Sequence, residues 1–201
     1  MIGVFDSGIG GLTVVNALMA QLPGYDIVYF GDTARTPYGS KSPATVLRYA
    51  RQNTEFLLTH NARMIVMACN TASSIATNDL TTSFDVPIFE VISPAVELAL
   101  TQSRRGRIGV MGTRATIKSD VYAKKIRALR PEMQVYSQAC PLLVPLVEEG
   151  WLNRPETAMI VKKYLHPLKV RQIDTLILGC THYPIIRNQI SSATMDSMID
   201  R

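Results

Sequence analysis

Cys69 and Cys180 are set in similar surroundings. Cys69 follows Met64-Ile65-Val66-Met67-Ala68 and precedes Asn70-Thr71; Cys180 follows Thr175-Leu176-Ile177-Leu178-Gly179 and precedes Thr181-His182. Each apolar run has strand length, so each thiol stands at the mouth of a strand with polar side chains next in line. A cysteine that only packs usually lies inside the apolar run. Zinc needs more ligands than Cys180-Thr181-His182 supplies, and the chain has no Cys-x-x-Cys and no second His pair. A hydrolytic cysteine activated by His182 is conceivable, but a side chain two positions away often points elsewhere, and Cys69 would have no task. Two thiols facing one pocket suit another chemistry, in which a proton leaves one face of a carbon and another arrives on the opposite face. A thiol pKa of about 8.5 leaves either protonation state within reach near neutrality. One thiol would start ionised and its partner protonated.

Asp6-Ser7-Gly8-Ile9-Gly10-Gly11 lies between an opening strand and a helix. Glycines there let backbone N–H groups approach an anion at a helix amino terminus. A dinucleotide fingerprint would need glycine where Thr13 stands, and no Gly-Lys-Ser/Thr follows to make a P-loop. The plainer reading is a tight turn with Asp6 or Ser7 as a helix cap. Cys140, before Pro141 and an apolar run, reads as a packed cysteine, and His60 and His166 lie in or beside amphipathic stretches and receive no role.

These residues need elements to position them. Strand-like runs at Ile2–Phe5, Ile27–Phe30, Met64–Ala68, Ile88–Ile92, Ile108–Met111 and Thr175–Leu178 alternate with helix-like stretches. The helices are expected at Gly11–Gln21, Pro43–Asn61, Ser73–Thr82, Pro94–Gln102, Ser119–Leu129 and Pro155–Pro167. The rhythm is that of an α/β protein with mainly parallel sheets, whose ligand crevice lies at the carboxyl ends of the strands. Ile2-Gly3-Val4 is echoed by Ile108-Gly109-Val110, and each precedes its cysteine by a similar separation. Two pseudo-symmetric α/β halves, 1–95 and 96–201 with the active site in the cleft between them, would explain the echo; chance resemblance of short β-branched strands is the alternative.

Of the 201 residues, 47% are hydrophobic and 18% charged, which excludes disorder as the default. The start of the chain has no signal-peptide pattern and no run is long enough to cross a bilayer, so no membrane association is expected. Three scattered cysteines fit a reduced cytoplasm better than a disulfide framework. The net charge of +5 is dispersed except at Arg104, Arg105 and Arg107, where no aromatic residues interleave. That cluster reads as a solvated loop, no nucleic acid is expected, and a small anionic substrate remains compatible.

Five blocks, Asp6-Ser7-Gly8-Ile9-Gly10-Gly11, Pro37-Tyr38-Gly39, Ala68-Cys69-Asn70-Thr71-Ala72-Ser73, Val144-Pro145-Leu146-Val147-Glu148 and Gly179-Cys180-Thr181-His182-Tyr183-Pro184, resemble in content and order the signatures of the glutamate racemases of the aspartate/glutamate racemase superfamily. Cys-Thr-His-Tyr-Pro resembles the glutamate branch, since aspartate racemases tend to carry an acidic residue where His182 stands. The resemblance implies a cytoplasmic amino-acid racemase (an isomerase) that needs no pyridoxal phosphate, flavin, nucleotide or metal. It would supply D-glutamate for peptidoglycan, and so serve cell-wall biogenesis and cell shape. Cys180 would take the α-proton from L-glutamate and Cys69 from D-glutamate, assisted by Asp6 and His182, with Glu148 close to His182. Asp6, Ser7, Pro37, Tyr38, Gly39, Asn70, Thr71, Thr113, Thr116 and Thr181 would join the cysteines and His182 around the substrate.

Taken singly, Tyr38-Gly39 could be a turn, Thr113 and Thr116 caps, and Glu148 a solvated charge. The family also leads one to expect a further carboxyl-terminal segment that completes the first half. From that expectation come two alternatives beside an aspartate or hydantoin racemase: a shortened, noncatalytic glutamate-binding module, or one that engages another protein. A homodimer is left open.

Overall fold

The computed structural model describes residues 1–194 and divides into two compact units, Met1–Val91 and a second beginning at Ile92. The first unit carries β1 (Ile2–Asp6), α1 (Leu12–Gln21), β2 (Ile27–Gly31), α2 (Pro43–Thr59), β3 (Met64–Met67), α3 (Asn70–Ser83) and β4 (Ile88–Glu90). The second carries α4 (Ile92–Gln102), β5 (Arg107–Gly112), α5 (Arg114–Ser119), α6 (Val121–Leu129), β6 (Gln134–Ala139), α7 (Leu143–Glu148), α8 (Pro155–Val170), β7 (Thr175–Gly179) and α9 (Arg187–Thr194). No helix among the described residues is long and apolar enough to cross a membrane.

Both sheets are parallel, in the orders β2-β1-β3-β4 and β6-β5-β7. Alternate side chains leave a parallel strand on opposite faces, and here both faces are apolar because helices cover both. In the first unit, α2 and α3 enclose Phe5, Ile65 and Met67 on one face, while α1 covers Ile2, Val4 and Val66 on the other. In the second unit, α4 and α6 enclose Ile108, Val110 and Ile177, and α7, α8 and α9 enclose Met111 and Leu176.

The sequence echo is an echo of register. Ile2 pairs with Met64 and Gly3 with Ile65; Ile108 pairs with Thr175 and Gly109 with Leu176. Met64 and Thr175 stand at the same separation ahead of Cys69 and Cys180, so the same strand pairing delivers both thiols to the carboxyl end of a sheet.

Helix limits follow local chemistry. Ser42 caps α2 by accepting from the Thr45 N–H at 3.2 Å, and Pro43 occupies its first turn, where the missing N–H costs nothing. α3 begins at Asn70 rather than at Ser73, because the extended Cys69 (φ −69°, ψ 115°) already offers its carbonyl to the Ser73 N–H at 2.8 Å. The helix expected from Ser119 to Leu129 begins at Val121, because Asp120, in the left-handed region at φ 57°, separates it from α5. α8 continues past Pro167 to Val170, where buried Leu165 and Leu168 hold its last turns on the core.

Four of these elements escape the sequence pattern, among them the short helices α5 and α9. β6 is Gln134–Ala139, an edge strand with polar residues among its apolar ones, and α7 is a short helix, apolar until it ends at Glu148.

The glycine of each central strand is held differently. A Cβ on Gly3 would come within 2.8 Å of the Ala62 Cβ and 3.2 Å of the Leu57 Cβ, atoms fixed to their backbones; on Gly109 it would meet the Cδ1 tip of Ile173 at 2.4 Å, which can swing aside. Gly3→Ala is therefore expected to cost about 1–3 kcal/mol and Gly109→Ala less than half as much, measured as shifts in chemical denaturation. Equal costs would contradict this account.

Candidate active site

In the first unit, β1 ends at Asp6, which is fully buried. Its Oδ2 accepts hydrogen bonds from the Gly8 N–H at 3.2 Å and the Gly11 N–H at 3.0 Å. This carboxylate shapes the glycine loop rather than capping α1, whose cap position is Gly11. The loop is tight: a Cβ on Gly11 would lie 2.4 Å from the Asp6 Cβ, and one on Gly31 2.7 Å from the Gly8 carbonyl oxygen.

Cys69, 4% exposed, sits at the amino terminus of α3, with Asn70 and Thr71 buried in the first turn. Burial first, and then the negative charge of Asp6, push its thiol up to about 12. Hydrogen bonds from the Ala72 N–H and from the hydroxyl and N–H of Ser7 work in the opposite direction, because donors favour a thiolate. Cys69 is therefore held as a thiol within reach of groups that would stabilise its anion.

Pro37, Tyr38 and Gly39 follow β2, Pro37 after a cis peptide bond. Tyr38 is fully buried in the same apolar cluster as Cys69 and Met67. Its hydroxyl donates to Asp32 Oδ2 and accepts from Asn53 Nδ2 at 2.9 Å. Neither partner stood out in the sequence; the one available signal was Asp32-Thr33-Ala34-Arg35, a carboxylate and a guanidinium just ahead of Pro37-Tyr38-Gly39.

In the second unit, Cys180 follows β7 directly and is 6% exposed. His182, two residues on, places Nδ1 3.8 Å from the Cys180 sulfur, while its Nε2 lies 2.5 Å from Glu148 Oε1 at the end of α7. A carboxylate can only accept, so Nε2 carries the proton. In the neutral ring Nδ1 is then an acceptor facing the thiol. Cys180, His182 and Glu148 thus form a relay able to take the proton from Cys180 and return it. The side chain of Glu148 is committed to His182 and not simply solvated.

Thr113 caps α5, its Oγ1 accepting from the Thr116 N–H at 3.2 Å and lying 3.0 Å from the Thr116 Oγ1. Both threonines and Thr181 are buried. Cys140 lies in the apolar core and donates to the Gln138 carbonyl at 3.5 Å; burial pushes its thiol up to about 12. Among the described residues no group of three or more His, Cys, Asp or Glu is arranged to hold a metal ion.

The family model for Asp/Glu/Hydantoin racemase matches residues 11–201. The chain belongs to that family. A glutamate racemase of Syntrophus aciditrophicus is 52% identical over 186 residues, covering 92% of this chain and 69% of that one. A crystal structure of a glutamate racemase isoform from Bacillus anthracis superposes with a TM-score of 0.95 at 39% identity, over 99% of this chain and 76% of that one. The Francisella tularensis glutamate racemase, crystallised with D-glutamate, gives a TM-score of 0.91 at 44% identity, over 99% and 75%.

The buried thiols tie stability to pH. Cys69 and Cys140 hold their protons to about 12, against an ordinary 9.0. Between those values the native protein binds more protons than the unfolded chain, so stability is whole below pH 9 and falls as pH rises through the window. Cys140→Ala should flatten that alkaline decline by up to ~1.4 kcal/mol per pH unit, measured by chemical denaturation at a series of pH values. An unchanged slope would show that the Cys140 thiol ionises in the fold as it does in water.

Proposed function

We propose that this chain interconverts L- and D-glutamate by a two-base mechanism that uses no pyridoxal phosphate, flavin, nucleotide or metal. The reading rests on one observation above others: the same strand register delivers a thiol in each unit, each beside its own proton-handling group. The glutamate racemases to which the chain is similar support the choice of substrate.

In the proposed reaction Cys180, relieved of its proton through His182 and Glu148, removes the α-proton of L-glutamate. Cys69, held as a thiol beside Asp6, delivers a proton to the opposite face. The reverse direction exchanges the roles, with the hydrogen bonds from Ser7 and Ala72 stabilising the Cys69 thiolate once it forms. Ser7, Asn70, Thr71, Thr113, Thr116 and Thr181 supply hydroxyl and amide groups for the carboxylates and ammonium, and the Pro37-Tyr38-Gly39 turn adds its backbone. The product would supply D-glutamate for peptidoglycan.

Circular dichroism of L- or D-glutamate incubated with the protein tests the assignment: ellipticity should decay to zero from either enantiomer, while aspartate keeps its signal. Decay of aspartate alone would move the chain to another branch of the family. Cys69→Ser and Cys180→Ser should each lower racemisation by at least about a hundredfold. In heavy water the Cys69 variant should exchange the α-hydrogen of L-glutamate faster than that of D-glutamate, and the Cys180 variant the reverse. If both variants exchange the same enantiomer, the opposed-thiol mechanism is wrong.

A further inference from the structure

Tyr38, Asp32, Arg35 and Asn53 close a ring of hydrogen bonds. The Tyr38 hydroxyl donates to Asp32 Oδ2 and Asn53 Nδ2 donates to the Tyr38 oxygen at 2.9 Å. Arg35 Nη2 donates to Asn53 Oδ1 at 2.9 Å, and Arg35 Nε donates to Asp32 Oδ1 at 2.9 Å while lying 2.7 Å from Oδ2. Asp32, Tyr38 and Asn53 are buried. Buried polar groups carry a large penalty unless each finds its partner, and here every member does.

The ring joins separate pieces of the first unit: Asp32 just beyond β2, the turn at Thr33–Arg35, the turn at Tyr38–Ser40, and Asn53 on the inner face of α2. The phenol of Tyr38 has its donor and an acceptor site occupied within the ring and no exposure to solvent. With the phenol so engaged, Pro37, Tyr38 and Gly39 have only backbone polar groups left to present to a ligand, chiefly at Gly39, which is partly exposed. A turn of that kind is useful only if its N–H groups are held in place before the ligand arrives.

We infer that Asp32, Arg35 and Asn53 are positioning residues, which act through Tyr38 to fix the Pro37–Ser40 turn for binding a substrate carboxylate. The inference rests on the proposed glutamate reading for its ligand, but not for the rigidity of the turn. A contact of this kind stabilises bound substrate and transition state alike, so its loss should appear in KM and not in kcat.

Two measurements decide the matter on the full chain. Asn53→Ala, and Tyr38→Phe as the variant that keeps the ring's volume, should raise amide hydrogen exchange at Tyr38, Gly39 and Ser40 at least tenfold, with exchange in β1 and β3 unchanged. In glutamate racemisation both should raise KM by about tenfold or more, with kcat within about twofold of the parent. Gln52→Ala, which removes only an exposed acceptor of Arg35 outside the ring, should change neither.

Unchanged exchange at the turn would overturn the inference, as would an unchanged KM in a protein that turns over glutamate. So would an equal loss of protection throughout the unit with a fall in kcat, the mark of general destabilisation. If the parent chain leaves glutamate untouched, the functional reading fails by itself, and the exchange measurement still decides the positioning role.

Discussion

The constraint on which both thiols depend is the pairing of a glycine-bearing central strand with a neighbour that ends in cysteine. β1 and β3, and β5 and β7, are parallel and share one register, so where the central strand turns from apolar to polar the neighbour has just reached its cysteine. A slip of one residue would carry the whole set of apolar side chains to the wrong face. The register is thus enforced by the cores above and below each sheet and not by the site. Gly3 strengthens it in the first unit, because the approach of Ala62 and Leu57 leaves no room for any side chain at that point. Both thiols stand at the ends of elements whose positions are fixed by hydrophobic packing elsewhere.

The two thiols share a register but not an environment. Cys69 opens α3 directly, beside a buried carboxylate that raises its pKa and backbone and hydroxyl donors that lower it. Cys180 is followed by a tight turn, its carbonyl accepting from the Tyr183 N–H at 3.1 Å, and that turn brings His182 back toward the sulfur. Tyr183, fully buried and donating to the Cys140 carbonyl at 3.1 Å, pins the turn to the core. In the proposed reaction that difference would let Cys69 start protonated beside Asp6 while Cys180 passes its proton to His182. The repeat supplies the strand ends, and the departures from it give each thiol its own neighbours.

The α/β class and the six strands named from the sequence were legible because buried parallel strands are continuous apolar runs, and their bounds moved by at most a residue or two. β6 was not legible: at a sheet edge its Gln134, Ser137 and Gln138 need no second neighbour, so no apolar run is required there. The break at Asp120 depends on one left-handed residue that side-chain periodicity does not encode. The cysteines were visible as thiols at strand mouths. The relay from His182 to Glu148 was named only through a family resemblance, because it joins a turn to α7 across a fold that spacing alone does not describe. Asp32 and Asn53 carried even less signal, being single polar residues on separate elements that meet only at Tyr38.

That meeting also governs where positive charge is kept. Arg35 directs Nε to Asp32, Nη1 to Gln52 and Nη2 to Asn53, and its guanidinium lies 4.2 Å from the centre of the Tyr49 ring. A guanidinium free to turn toward Cys69 would lower the pKa of that thiol and hold a carboxylate strongly in any protonation state of the site. Bound to Asp32 it does neither, and the burial of Cys69 together with the Asp6 charge sets the thiol high. Under the proposed reading, hydroxyls, amides and loop N–H groups are then the carboxylate donors. These bind a carboxylate more weakly than a cation would, which favours release of product. The ring proposed to order the Pro37–Ser40 turn therefore also holds the Arg35 guanidinium on Asp32 and Asn53, with Gln52 as its exposed acceptor.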